Sequence, residues 1–168
     1  MPVPLSPRPI VIMSDGAMLV SNGNDSVVRV LDLDGLAASE WVLPVPVPTV
    51  TSDEFRIAIA ERLQAIPANR QVMMRSLYEA MTPPEHRAPL ATLLIDRHGL
   101  VWAALATDDL SHGQTWLVIG QGGDVRARVR MPLGVDVLEV GDDYVLVRWR
   151  DALDVEFVRV HTLARTAA

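Results

Sequence analysis

Cysteine is absent from this 168-residue chain, and so is lysine. The first absence removes thiol nucleophiles, structural disulfides and thiolate metal sites, although it does not decide the compartment. The second leaves fifteen arginines as the whole basic complement. GC-rich coding explains that bias more simply than selection for bidentate anion binding. Acidic residues outnumber them, giving a net charge of -6 and a pI near 5.1. This balance works against an electrostatic grip on phosphate backbones or anionic membranes, so nucleic acid is not an expected partner. No stretch approaches the ~18 apolar residues of a membrane span. Met1-Pro2-Val3-Pro4-Leu5-Ser6-Pro7 lacks the charged and apolar regions of a signal peptide. Read as it stands, the chain is expected to be cytoplasmic; as part of a longer exported protein it would be periplasmic or extracellular.

Catalytic signatures are equally scarce. The sequence holds no GxSxG elbow, no Walker loop, no dinucleotide fingerprint and no HExxH pair. Gly120-Gln121-Gly122-Gly123 looks superficially like a phosphate cradle, but it joins two strands and has no helix N-terminus to hold an anion. Of the four histidines, His98 falls in a turn, His86 follows Pro83-Pro84-Glu85 and His161 lies on the last strand beside Arg159. Only His112 belongs to a long loop.

What the chain does have is a repeated block. Val28-Arg29-Val30-Leu31 leads to Asp34-Gly35, with Pro44 nine residues beyond Gly35; Trp116-Leu117-Val118-Ile119 leads to Gly122-Gly123, with Pro132 nine residues beyond Gly123. Around these anchors the first block (9–44) reads as strands at 10–13, 18–21, 27–33 and 40–43. The second (91–132) reads as strands at 92–95, 101–105, 115–119 and 125–131. A third (135–163), with strands at 137–140, 144–149 and 155–163, stops one strand short. Repeats of four short strands are how propeller blades read in sequence. At about 40 residues per blade, three blades plus an insertion exhaust the length. The expected fold is therefore mainly β, a partial propeller of about three four-stranded antiparallel blades in one domain.

Several strands are apolar on both faces, as Val27-Val28 with Val30-Leu31, which suits sheets covered on both sides. In contrast, Arg126, Arg128 and Arg130 alternate with Val125, Ala127, Val129 and Met131, as in an outer strand with one wet face. The three arginines read as a solvated edge that discourages unwanted pairing. Trp41, Trp102, Trp116 and Trp149 all fall in strands, so they are expected to pack between blades.

Between the first two blocks the period changes to about 3.6. Thr51-Ser52-Asp53-Glu54 is a capping box, followed by an apolar face of Phe55, Ile59, Leu63 and Ile66. Pro67 ends this helix and starts another, expected to turn Met73, Leu77 and Met81 inward before Pro83-Pro84. A helical hairpin (51–82) is thus inserted between blades.

Meander topology assigns the loops. Tight Gly/Asp turns fall at one end of the sheets, while the longer loops and the helical hairpin fall at the other, where binding usually resides. The candidate residues at that end are Asn22, Asn24, Asp25, Asp108, Asp109, His112, Arg150, Asp151 and Asp154. Asn and Asp are also default loop residues, so no catalytic or metal-ligating set is assigned.

Leu94-Ile95-Asp96 with Gly99-Leu100-Val101-Trp102, then Trp116-Leu117-Val118-Ile119, Val140-Gly141-Asp142-Asp143-Tyr144-Val145-Leu146 and Trp149-Arg150-Asp151-Ala152-Leu153-Asp154-Val155-Glu156-Phe157-Val158-Arg159-Val160, resemble the C-terminal blades of bacterial six-bladed β-propellers of the NHL and TolB-like type. The resemblance runs from Pro9 onward. It implies the fold and is weak on function, because such propellers include hydrolases, lyases and sensors. About half a ring is missing, so the chain reads as a C-terminal fragment or as one part of a ring assembled from two chains. The proline-laden segment 1–8 is a poor strand for completing the last blade. Self-association through open blade edges is therefore expected. The function expected is a noncatalytic binding or scaffold module for a protein, peptide or small ligand, with no cofactor. The alternative is the remnant of a calcium-dependent, gluconolactonase-like hydrolase or lyase, in which an axial metal polarises an ester or lactone.

Overall fold

The computed structural model describes residues 3–14, 16–32, 34, 36–106, 113–132 and 134–164. In chain order they form β1 (Ile10–Ser14), β2 (Ala17–Ser21), β3 (Val27–Asp32), β4 (Ala37–Val42), α1 (Ser52–Gln64), α2 (Ala68–Glu79), β5 (Leu90–Ile95), β6 (Val101–Leu105), β7 (Gln114–Ile119), β8 (Val125–Met131), β9 (Val135–Val140), β10 (Tyr144–Arg150) and β11 (Glu156–Thr162). The strands make three antiparallel meanders: sheet I is β1-β2-β3-β4, sheet II is β5-β6-β7-β8, and sheet III is β9-β10-β11. The chain is mainly β with a helical hairpin between sheets I and II, as the alternation of periods implies. β6 and β8 fall where expected, and the other strands differ by one to three residues at an end; β4, for example, begins at Ala37 rather than Glu40.

The two complete sheets repeat in detail. In sheet I Val28 lies opposite Trp41; in sheet II, at the equivalent position of the repeat, Trp116 lies opposite Val129. The large and small partners have exchanged strands, which conserves volume across the pair. Each sheet also has a bulge between its third and fourth strands at the same place, at Val30/Leu31 and at Val118/Ile119.

Sheet II is the middle layer. Val101, Ala103, Leu117 and Ile119 on one face pack with Leu19, Val28, Trp41 and Leu43 of the sheet I layer. The residues between them, Trp102, Ala104, Trp116 and Val118, project from the opposite face onto Val140, Val145 and Val147 of sheet III. Alternation along β6 and β7 therefore feeds two separate cores, and the alanines on β6 leave room for the tryptophans and leucines beside them. Each large side chain buried here contributes roughly 1.5–3 kcal/mol. Between layers the first strands meet, β1 against β5 and β5 against β9. The outer strands are twisted away, as sheets of L-residues must be. The end of β4 consequently reaches the turn before β8: a Cβ on Gly123 would lie 2.5 Å from the Trp41 ring, at a φ of +85°. Glycine is required there on both counts.

Asp96 fixes the β5–β6 turn from inside. It is buried, and its Oδ1 accepts the backbone N–H groups of His98 and Leu100, both at 2.9 Å. Its Oδ2 accepts Trp102 Nε1 at 3.0 Å, which gives that buried indole a partner. Three of the four tryptophans are buried. Trp149 instead stacks on Phe157, with centroids 5.5 Å apart, and beneath Arg159 at 4.4 Å.

Candidate functional site

The long-loop end is organised by the segment 3–9 and the helical hairpin. That segment forms no strand. It lies across the β2–β3 loop instead: a Cβ on Gly23 would come within 2.5 Å of the Arg8 carbonyl oxygen, so glycine permits the crossing. Pro4 is fully buried, and Leu5, with φ +61°, turns toward α1.

The hairpin stands on a short neck. Val50 N–H donates to the Glu85 carbonyl and Arg87 N–H to the Pro48 carbonyl, both at 3.0 Å, around a bridge between Thr49 and His86. The capping box is present: Thr51 Oγ1 accepts Glu54 N–H at 3.2 Å, and Glu54 Oε2 accepts Thr51 N–H at 2.7 Å. The Thr51 backbone N–H and the Thr51 hydroxyl, which donates to Glu54 Oε2 at 2.8 Å, and then the nearby Arg87 guanidinium, hold the Glu54 carboxyl below its ordinary range. Arg87 reaches Glu54 at 3.2 Å. Leu5, Glu54, Ile57, Ala58, Glu61 and Arg87 line a groove of about 270 Å3 between the N-terminal segment and α1.

The buried face of α2 differs from the expected one. Tyr78 is buried and Met74 and Met81 are half-buried, whereas Met73 and Leu77 are exposed. Both faces of α2 carry long apolar residues, and Tyr78 supplies the largest area for burial, which turns Met73 and Leu77 outward. Phe55 and Leu63 of α1 are buried as expected. Ile57, Val72, Met73 and Leu77 thus give the hairpin an exposed apolar surface.

The sequence-derived candidates fall into separate places. Asn22 Nδ2 donates to Asp25 Oδ2 at 3.1 Å, Asn24 N–H donates to Asn22 Oδ1 at 2.8 Å, and Asp25 Oδ1 accepts Val27 N–H at 3.1 Å. Their polar atoms close their own loop on sheet I. On sheet III, Asp151 Oδ1 accepts Leu153 and Val155 N–H groups at 2.8 and 3.0 Å. Arg150 donates to Asp154 at 3.0 Å, and Asp154 sits at φ +60°. The described part of sheet II lies between these two loops. Asp108, Asp109 and His112 lie outside the described residues. Among the described residues no three His, Asp or Glu side chains gather to hold a metal ion.

A second cluster, at the tight-turn end, was not visible in the sequence. Arg97 donates to Glu139 at 3.0 Å and to Tyr144 Oη at 3.1 Å, while Tyr144 Oη donates to Glu139 at 2.7 Å. His98 Nε2 lies 3.3 Å from Asp142. The Tyr144 hydroxyl, then Arg97, holds the Glu139 carboxyl below its usual range, and Glu139 in turn raises the Tyr144 hydroxyl. This cluster ties the first turn of sheet II to the first strands of sheet III. The only sequence signal for it is that Arg97-His98 and Asp142-Asp143-Tyr144 occupy the same turn in consecutive blocks. No protein-family model matches the chain, and no curated protein matches it in sequence.

Proposed function

We propose that the chain is a noncatalytic binding or scaffold module, a sector of three consecutive blades of a six-bladed β-propeller of the NHL or TolB-like type, corresponding to that ring's C-terminal blades. Three observations support the sector. The layers stack face to face in chain order, their first strands meet, and the fourth strand of one layer ends against the turn that starts the fourth strand of the next. Rings of stacked four-stranded sheets have these features.

The observation that carries the binding role is the groove between Leu5 and α1, continuous with a hairpin that exposes Ile57, Val72, Met73 and Leu77. Methionine adapts to varied apolar partners, and the polar loop residues beside it are engaged with their own backbone. The ligand class is a peptide or protein segment with an apolar anchor. Peptides selected by phage display against the chain test this by calorimetry. Ile57→Arg is expected to weaken them at least tenfold, about 1.4 kcal/mol. Selected peptides that bind Ile57→Arg and Met73→Arg as tightly as the parent would remove the hairpin as the site.

A further inference from the structure

Among the described residues, the two end layers of the stack each leave one face bare. On sheet I, Val11 pairs with Val20, Met13 with Met18 and Val27 with Val42, all on the face turned away from sheet II. Met13 is 64% exposed and Val42 76%. On sheet III, the face turned away from sheet II carries Leu146 opposite Val160, and Arg148 opposite Val158. Val158 is 63% exposed and Val160 66%. The sheet I face also carries one arginine held by two carboxylates, and the sheet III face carries two, Arg148 and Arg150, each held by two carboxylates. Arg29 lies 2.8 Å from Glu40 and 3.6 Å from Asp25; Arg148 lies 2.8 Å from Asp136 and 3.5 Å from Glu156. Covering either face leaves these charges paired, so no arginine is buried without a counterion, at the cost of the pairs' hydration.

We propose that the occupant of both faces is a second copy of this chain, sheet I of each copy packing on sheet III of the other to close a six-layer ring. This rests on the ring-sector reading above. The chain already makes the same kind of face-to-face contact twice, I on II and II on III, so the bare faces continue an existing interface. Propeller rings hold about four to eight layers, and two copies of this three-layer sector make six. The area is also sufficient. Three strands, the width of sheet III, about 4.8 Å apart and about six residues long at about 3.4 Å each cover ~290 Å2. Two such contacts, counted on both partners, bury ~1,200 Å2, at the lower end of the range of specific interfaces.

Light scattering and native mass spectrometry of the 168-residue chain at micromolar concentration should give a two-chain species. The absence of cysteine makes single-cysteine variants unambiguous. Met13→Cys mixed with Val160→Cys should cross-link through a short bifunctional thiol reagent, and neither variant alone should. Val42→Glu should weaken the dimer at least tenfold, with the monomer's circular dichroism unchanged. A monomeric parent chain, as if other sheets of a longer protein covered these faces, overturns the proposal. So does an open-ended polymer, or cross-linking within one variant alone. Small-angle scattering of the Val42→Glu monomer separates the two readings. A fan of three layers that stays monomeric in the parent refutes only the pairing, whereas a closed barrel refutes the sector itself.

Discussion

Sheets II and III use similar strands to different ends. In sheet II, Val101 to Ala104 of β6 and Trp116 to Ile119 of β7 are all buried, because both faces are covered by neighbouring layers. In sheet III, every residue of β11 is exposed although it carries Phe157, Val158 and Val160. Composition does not separate the two; position in the stack does. The junctions differ in the same way. Between sheets I and II, Trp41 closes against Gly123. Between sheets II and III, a cleft of about 200 Å3 opens beside Val129, Met131, Val145, Val147 and Leu163, where a fourth strand of sheet III would begin. An apolar strand is thus structural in one layer and available for association in the next.

The sharpest way to break this comparison is at the centre. Leu117→Ala removes a fully buried side chain from the I–II core and is expected to cost about 2–5 kcal/mol. Val158→Ala on sheet III should stay within about 0.5 kcal/mol in a monomeric background. Denaturant melts of both report the contrast, and equal losses would mean the layers are not ordered as described. Next in size is Gly123→Ala. It combines a clash against Trp41 with a left-handed backbone, and about 1–3 kcal/mol of destabilisation is expected. Trp41→Ala should recover the clash component and not the backbone component, which a double-mutant cycle measures.

A smaller effect sharpens the II–III side. The Glu139 carboxyl is depressed in the folded chain. Its contribution to stability is therefore present above the unfolded carboxylate value, about 4.3, and is lost as pH falls below it through the folded value. Tyr144→Phe removes the leading cause and should move the Glu139 titration upward in a carboxylate NMR experiment. An unchanged titration would mean that the hydroxyl does not hold it. Smallest of all, calcium is expected to leave the melting temperature unmoved, since Asp25, Asp151 and Asp154 already serve backbone or arginine partners. A clear rise would favour the calcium-dependent hydrolase or lyase.

The sheets and helices were legible because turn residues and alternation mark where strands stop, and Thr51 with Glu54 marks a helix start. The stacking order was harder to read. Strands such as 101–104 and 116–119 are apolar on both faces, so their pattern does not say which neighbour each face meets. The orientation of α2 is illegible for a related reason, since Met73 and Leu77 are as apolar as the residues that are buried. The loop candidates were polar because they build turns. The Arg97–Glu139–Tyr144 cluster was invisible because it joins residues of different sheets, which no local spacing reveals.

The layered order itself is tested most directly by a distance. Spin labels at Met13→Cys and Val160→Cys in one chain, diluted with unlabelled protein, report the separation of the two outer faces by electron–electron resonance. With a whole sheet between them and layers about 10 Å apart, the separation should exceed about 20 Å. A separation near a single layer spacing would place sheets I and III against each other within one chain and contradict the fan.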